Sequence, residues 1–121
     1  IGLWDVSQIT DFSYVFDAER NRGLELFNED LSGWDVSKGT NFRRMFRRCK
    51  FFNGDLWSWN VSSAEDMSGM FYLCNSFDGD LSFWDVGNVT DFNFMFYECK
   101  SFSGGGISSW NVSNAVLMRF M

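Results

Sequence analysis

Residues 84–96 read WDVGNVTDFNFMF and residues 59–71 read WNVSSAEDMSGMF, one pattern written twice, 25 residues apart. Aligning on the tryptophan extends it to Trp4, Trp34, Trp59, Trp84 and Trp110, spaced by 30, 25, 25 and 26 residues. Repetition at such a period decides architecture ahead of any local reading. Ile1, Leu31, Leu56, Leu81 or Ile107 stands three residues before each tryptophan, and Val6, Val36, Val61, Val86 or Val112 two after it. Phe12, Phe42, Met67, Phe92 and Met118 follow at eight; Val15, Met45, Met70, Met95 and Met121 at eleven; Phe16, Phe46, Phe71 and Phe96 at twelve. A last row, Phe27, Phe52, Phe77 and Phe102, comes into register once five extra residues near Glu19 to Gly23 are removed from the first unit. These rows hold eleven of the fifteen phenylalanines, so they define the expected core.

Within each unit the run around the tryptophan, such as Leu56, Trp59 and Val61, alternates apolar and polar residues and predicts a short strand. Thr90-Asp91 and Thr40-Asn41 then offer helix caps. The apolar residues after them, such as Phe92, Met95 and Phe96, fall at i, i+3 and i+4, one face of a short helix. Asn53 to Asp55 and Asp78 to Asp80 carry the glycine and Asx chemistry of a chain reversal. The expected fold is therefore an α/β repeat solenoid, with short parallel strands on one face and short helices on the other. It forms a single segment with units at approximately 1–30, 31–55, 56–80 and 81–106 and a partial unit at 107–121.

The run L-x-x-W-x-V-x-x-A/V resembles the leucine-rich-repeat signature, with tryptophan in the central leucine position. More closely, F-N-G-D-L-S-x-W-D-V-S-x-V-T-D-F-x-x-M-F-x-x-C resembles the BspA-like leucine-rich repeats of mycoplasma-type surface lipoproteins and of many microalgal proteins. The resemblance implies a right-handed leucine-rich-repeat-like coil and a non-catalytic adhesion or protein-interaction role, extracellular or at the cell surface. The alternative is a structural scaffold or linker subunit in a large multiprotein assembly, organellar or membrane-associated in an alga. Seven of the ten basic residues are arginine, which departs from an AT-rich mycoplasma genome and points to an algal or other source. Neither end carries a recognisable polar cap of the kind stacked repeats need. Further repeats or a partner subunit are expected to cover the ends, with the chain a fragment of something longer.

A formal charge of -6 argues against general nucleic-acid binding, for which a basic face is the footprint. No run approaches the ~18 apolar residues of a membrane span. Histidine is absent, which removes the commonest general base and zinc ligand together. Gly104-Gly105-Gly106 matches neither dinucleotide nor P-loop spacing and reads as a loop insertion. No enzyme activity, catalytic residue, cofactor or metal is expected.

Cys49, Cys74 and Cys99 each stand fifteen residues after a tryptophan. Stacked neighbours could form a disulfide, although a cysteine after an apolar pair is more often a small buried hydrophobe. Asn60, Asn88 and Asn111 begin glycosylation patterns, two of them simply replacing the aspartate of the repeat.

Two surfaces are candidates for binding another protein. On the expected concave face lies a strip of Asp5, Asp35, Asn60, Phe83, Asp85 and Asn111. Alternation of aspartate with asparagine relieves repulsion between neighbours; with Asp55, Asp78 and Asp80 the strip could instead hold calcium or carbohydrate. On the convex face, outside the expected helices, the second unit carries Arg43, Arg44, Arg47 and Arg48. The third has Tyr72 and Leu73 there and the fourth Phe94 and Tyr97. Arginine and aromatic residues are enriched at interaction hot spots, so these eight are the expected partner-binding residues.

Overall fold

The computed structural model describes all 121 residues, and it corrects the expected architecture. The α/β solenoid of strands and helices does not form: there is no α-helix and no sheet. The helical residues are two 3₁₀ segments, Arg22–Leu26 and Ile107–Ser109. Strand pairing is limited to isolated parallel bridges, Asp11 to Asn41, Asn41 to Asp66, Asp66 to Asp91 and Asp91 to Leu117.

The expected helices are replaced by chains of tight turns. In the second unit the N–H groups of Met45, Arg47 and Cys49 donate to the carbonyls of Phe42, Arg44 and Phe46, three residues back. The intervening amides point the other way, along the stack. Phe42, Arg44, Phe46 and Arg48 donate to the carbonyls of Asp66, Ser68, Met70 and Tyr72 in the next unit, at 2.8, 2.9, 2.9 and 2.8 Å. Phe12, Tyr14, Phe16 and Ala18 do the same towards the second unit, and Met67, Gly69, Phe71 and Leu73 towards the fourth. Each three-residue bond closes a turn, and at alternate turns the third residue is left-handed, as type II geometry requires. The left-handed residues ten after the tryptophans are Tyr14, Arg44, Gly69, Phe94 and Phe120; Arg48, Leu73 and Glu98 follow at fourteen.

The distance between units explains why no helix is possible. Phe16, Phe46, Phe71 and Phe96 stack in succession with ring centroids 5.6, 5.6 and 5.7 Å apart. Helices pack about 8–10 Å apart and would force these units away from one another. The i, i+3, i+4 pattern survives as a burial pattern only: Phe92 and Met95 are fully buried and Phe96 nearly so.

The expected strands fail for a related reason, because their amides are used locally. The backbone N–H of Trp34, Trp59 and Trp84 donates to Leu31, Leu56 and Leu81, three residues back. The following Asp35, Asn60 and Asp85 each accept the N–H two residues on in an Asx turn. What joins the units here is the indole: Nε1 of Trp34, Trp59, Trp84 and Trp110 donates to the carbonyls of Ile1, Leu31, Leu56 and Leu81 at 3.0, 3.0, 2.8 and 2.9 Å. Trp59, Trp84 and Trp110 lie nearly parallel at successive spacings of 6.4 Å. Phe27, Phe52, Phe77 and Phe102 form another column, in face contact with the first at 4.2–4.3 Å. Together these rows make one core cluster of 28 buried residues. Gly104 to Gly106, all left-handed, absorb the extra residue of the last turn.

Left-handed backbone costs an L-residue about 1–2 kcal/mol, a cost glycine escapes. Glu98 is left-handed, exposed and free of ion pairs, so its side chain contributes little there. Glu98→Gly should raise the unfolding free energy by about 1 kcal/mol over Glu98→Ala in urea titrations. Equal stability of the two variants would contradict this backbone geometry.

Candidate functional site

The turn chains place the side chains ten and thirteen to fourteen residues after each tryptophan along one edge of the stack. At the edge's second, third and fourth units a groove of about 390 Å³ opens. Of the residues expected to bind a partner, Arg43, Arg44, Arg47, Arg48, Tyr72 and Phe94 all line it. Leu73 and Tyr97 do not line it, but Tyr97 stacks on Tyr72 at 5.1 Å and meets Phe94 edge-on. Phe120, absent from the sequence expectation, extends this shelf by stacking on Phe94 at 5.1 Å, and it is 66% exposed.

The four arginines are not equivalent. Arg47 donates to Asp17 through both Nε and Nη2, at 2.9 and 2.7 Å. Asp17 is 1% exposed, so this is a buried, bidentate pair joining the first two units, and Asp17 raises the pKa of the guanidinium. Arg48 pairs with Glu19. Arg43 donates from Nε to the hydroxyl of Tyr14 at 2.9 Å, and this bond, with the surrounding guanidinium charges, holds the phenol below its ordinary range. Arg20 covers the same ring at 3.6 Å. Arg44 makes neither a hydrogen bond nor an ion pair through its side chain. Arg47 is therefore structural, Arg48 is locally neutralised, and Arg43 and Arg44 keep uncompensated charge in the groove.

The acid and amide strip has a different role from the one its composition suggests. Asp5, Asp35, Asn60, Asp85 and Asn111 lie on no strand; each side-chain Oδ1 accepts the N–H of Ser7, Ser37, Ser62, Gly87 or Ser113. Carboxylate and amide oxygens serve equally in that turn, which accounts for the alternation. The hydroxyl and amide of Ser7 hold the Asp5 carboxyl below its ordinary value. Phe83 stands 78% exposed beside Asp85, Asn60 and the exposed, off-register Trp57 around a shallow depression.

A second ladder was invisible as such in the sequence. Asn28 Oδ1 accepts the N–H of Asn53, Asn53 Oδ1 that of Asp78, and Asp78 Oδ1 that of Ser103, each at 2.9 Å. The N-G-D and D-G-D settings of Asn53 and Asp78 read as turn chemistry, but these side chains also tie one unit to the next. Cys49, Cys74 and Cys99 are free thiols, donating to the carbonyls of Phe16, Phe46 and Phe71. Burial pushes Cys49 and Cys99 up to about 12 and Cys74 well above its ordinary value.

Residues 1–80 match the model of a family described as "Mycoplasma protein of unknown function, DUF285". The chain belongs to this family. The match is to a mycoplasma-type repeat family and not to BspA-like leucine-rich repeats specifically. No curated protein and no solved structure matches. Membership in DUF285 thus adds a repeat class, and the chemistry of the groove has to be argued from its own residues. No helix is long and apolar enough to cross a membrane.

Removing one member of a buried ion pair costs about 3–5 kcal/mol, whereas exposed pairs contribute about 0–1 kcal/mol. Asp17→Asn should therefore lower stability severely and Glu19→Gln barely, as measured by thermal and urea unfolding. The thiols should resist iodoacetamide at pH 8 in the folded chain and all react in guanidinium, since only thiolate is nucleophilic. As pH rises from the ordinary 9.0 towards about 12, unfolded thiols lose protons that folded ones keep, so stability should fall across that window.

Proposed function

We propose that this DUF285 chain is a non-catalytic protein-interaction module that presents one variable groove on a constant repeat scaffold, exposed at the cell surface. The observation that carries the reading is the convergence of Arg43, Arg44, Tyr72 and Phe94 on one groove. Elsewhere in the fold, the repeated Asp and Asn side chains are spent on Asx turns and on ties between units. The BspA-like resemblance of the repeats to surface lipoproteins supports the same role and location. An oxidising exterior is compatible with the buried thiols, because their protonated state suppresses oxidation.

Charge reversal separates binding from folding only at the right arginines. Arg47 must be spared, since the buried Asp17 would lose its bidentate partner and keep only the longer contact to Arg20, at 3.7 Å. The double variant Arg43→Glu, Arg44→Glu should stay folded, with a melting temperature lowered only by the loss of the Arg43–Tyr14 bond, and lose the proteins that the wild-type chain captures by crosslinking in extract of the source cells. Identical captured proteins from wild type and variant would refute the groove as the interaction site.

A further inference from the structure

The groove exists because one side chain is missing from a column. Ten residues after each tryptophan the side chains are Tyr14, Arg44, none at Gly69, Phe94 and Phe120. Phe94 and Phe120 show what neighbours in this column do: they stack at 5.1 Å. At Gly69 the column is interrupted between a guanidinium and an aromatic ring. The glycine is left-handed, at φ 61°, and a Cβ there would meet Cγ of Arg44 at 3.0 Å. The backbone conformation alone does not demand glycine, because Tyr14, Arg44, Phe94 and Phe120 adopt it with side chains. What glycine allows at this position is the close approach of Arg44, whose Cγ and Nε lie 3.0 and 3.6 Å from where a Cβ would stand, so that the guanidinium arm lies across Gly69 in the wall of the groove.

We infer that the groove beside Gly69 receives an acidic side chain from an extended segment of a protein partner, its carboxylate meeting Arg44 and Arg43 and its stem lying against Phe94 and Tyr72. The inference rests on the interaction role proposed above and specifies the occupant. Three observations select a carboxylate peptide. Arg44 has no acidic partner within the chain, and Arg43 uses only Nε, on a neutral phenol. Planar guanidinium groups with free donors suit carboxylates bidentately. Asp91 also lines the groove without a cationic partner, whereas Glu19 there is already paired with Arg48; the Asp91 charge disfavours a dianionic phosphate or a polyanion while leaving room for a single carboxylate. The aromatic shelf of Tyr72, Phe94 and Tyr97 gives the partner's backbone and apolar stems a surface to lie on.

The test uses the whole chain and a short fluorescein-labelled peptide of alternating Glu and Gly, with the Gln and Gly counterpart as control, read by fluorescence anisotropy. The Glu peptide should bind and the Gln peptide should not. Arg44→Gln should weaken binding by roughly tenfold, as expected when one member of a charge-assisted contact is removed. Gly69→Phe pushes Arg44 aside and fills the groove beside Phe94, and should weaken binding comparably, with circular dichroism and melting temperature checking the fold; Arg22→Gln, which does not line the groove, should change nothing. If Gly69→Phe fails to fold, Arg44→Gln decides alone. Equal binding by wild type and Arg44→Gln, or equal binding of the two peptides, would overturn the inference. So would inorganic tripolyphosphate binding more tightly than the Glu peptide, which would make the groove a phosphate site. If the peptides fail while native partners are still lost on reversing Arg43 and Arg44, the acidic occupant is wrong and the interaction role stands.

Discussion

The ladder of alternate amides along the turn chains is the constraint from which the rest of the molecule follows. Because Phe42, Arg44, Phe46 and Arg48 donate to the next unit, adjacent units are held at hydrogen-bond distance, and every homologous side chain must stack on its predecessor. Four such bonds at each of the first three junctions contribute about 1 kcal/mol each. The two left-handed residues of the second and of the fourth unit, Arg44 and Arg48, Phe94 and Glu98, cost about 1–2 kcal/mol each, so the backbone alone gains little. Burial decides: a phenylalanine taken out of water contributes about 1.5–3 kcal/mol, and each central unit buries several aromatic rings. The turn geometry is the backbone arrangement that lets those rings approach to 5.6 Å.

This balance explains what could be read from the sequence and what could not. The rows of Trp, Phe, Leu and Val identified the core because burial depends on residue type and position, and their central members fill it, whereas Trp4, Val15 and Met118 in the first and last units are exposed. The helices and strands were misread because periodicity reports which side chains are buried, not which hydrogen bonds the backbone makes. Phe92, Met95 and Phe96 point inward from a chain of turns much as they would from a helix. The usual signal of left-handed backbone is glycine, and only Gly69 among the positions ten after the tryptophans gives it. Tyr14, Arg44 and Phe94 hide the same conformation behind ordinary side chains.

The site divides in the same way. That Arg43, Arg44, Arg47 and Arg48 form a cluster beside aromatics was legible, since repeat register alone brings them together with Tyr72 and Phe94. Their unequal roles were not. Asp17 and Arg47 both stand thirteen residues after their tryptophans, so register makes Asp17 a candidate acid for the cluster, but that it is buried and takes Arg47 rather than its neighbours could not be read from spacing. Nor could composition distinguish an acid strip for ligands from a series of Asx turns. Asp35 and Asn60 differ in charge but accept the same kind of N–H, two residues on, so the alternation that suggested tuned electrostatics follows from a turn indifferent to charge.

A scaffold of this kind separates stability from recognition unusually well. Core rows cannot vary without disturbing the units above and below, since each ring is both a support and a load in its column. The edge residues ten, thirteen and fourteen after the tryptophan are free of that restriction wherever they carry no inter-unit pair. Arg47 shows the limit, because once a guanidinium takes a buried carboxylate as partner it joins the scaffold. Gly69 shows the opposite extreme, where the lack of a side chain lets Arg44 lie across the position and leaves the groove open beside Phe94. Specific binding can therefore arise from a change of a single residue in one unit, flanked by a charge below and a ring above, with no alteration to the hydrogen-bond ladder that holds them in register.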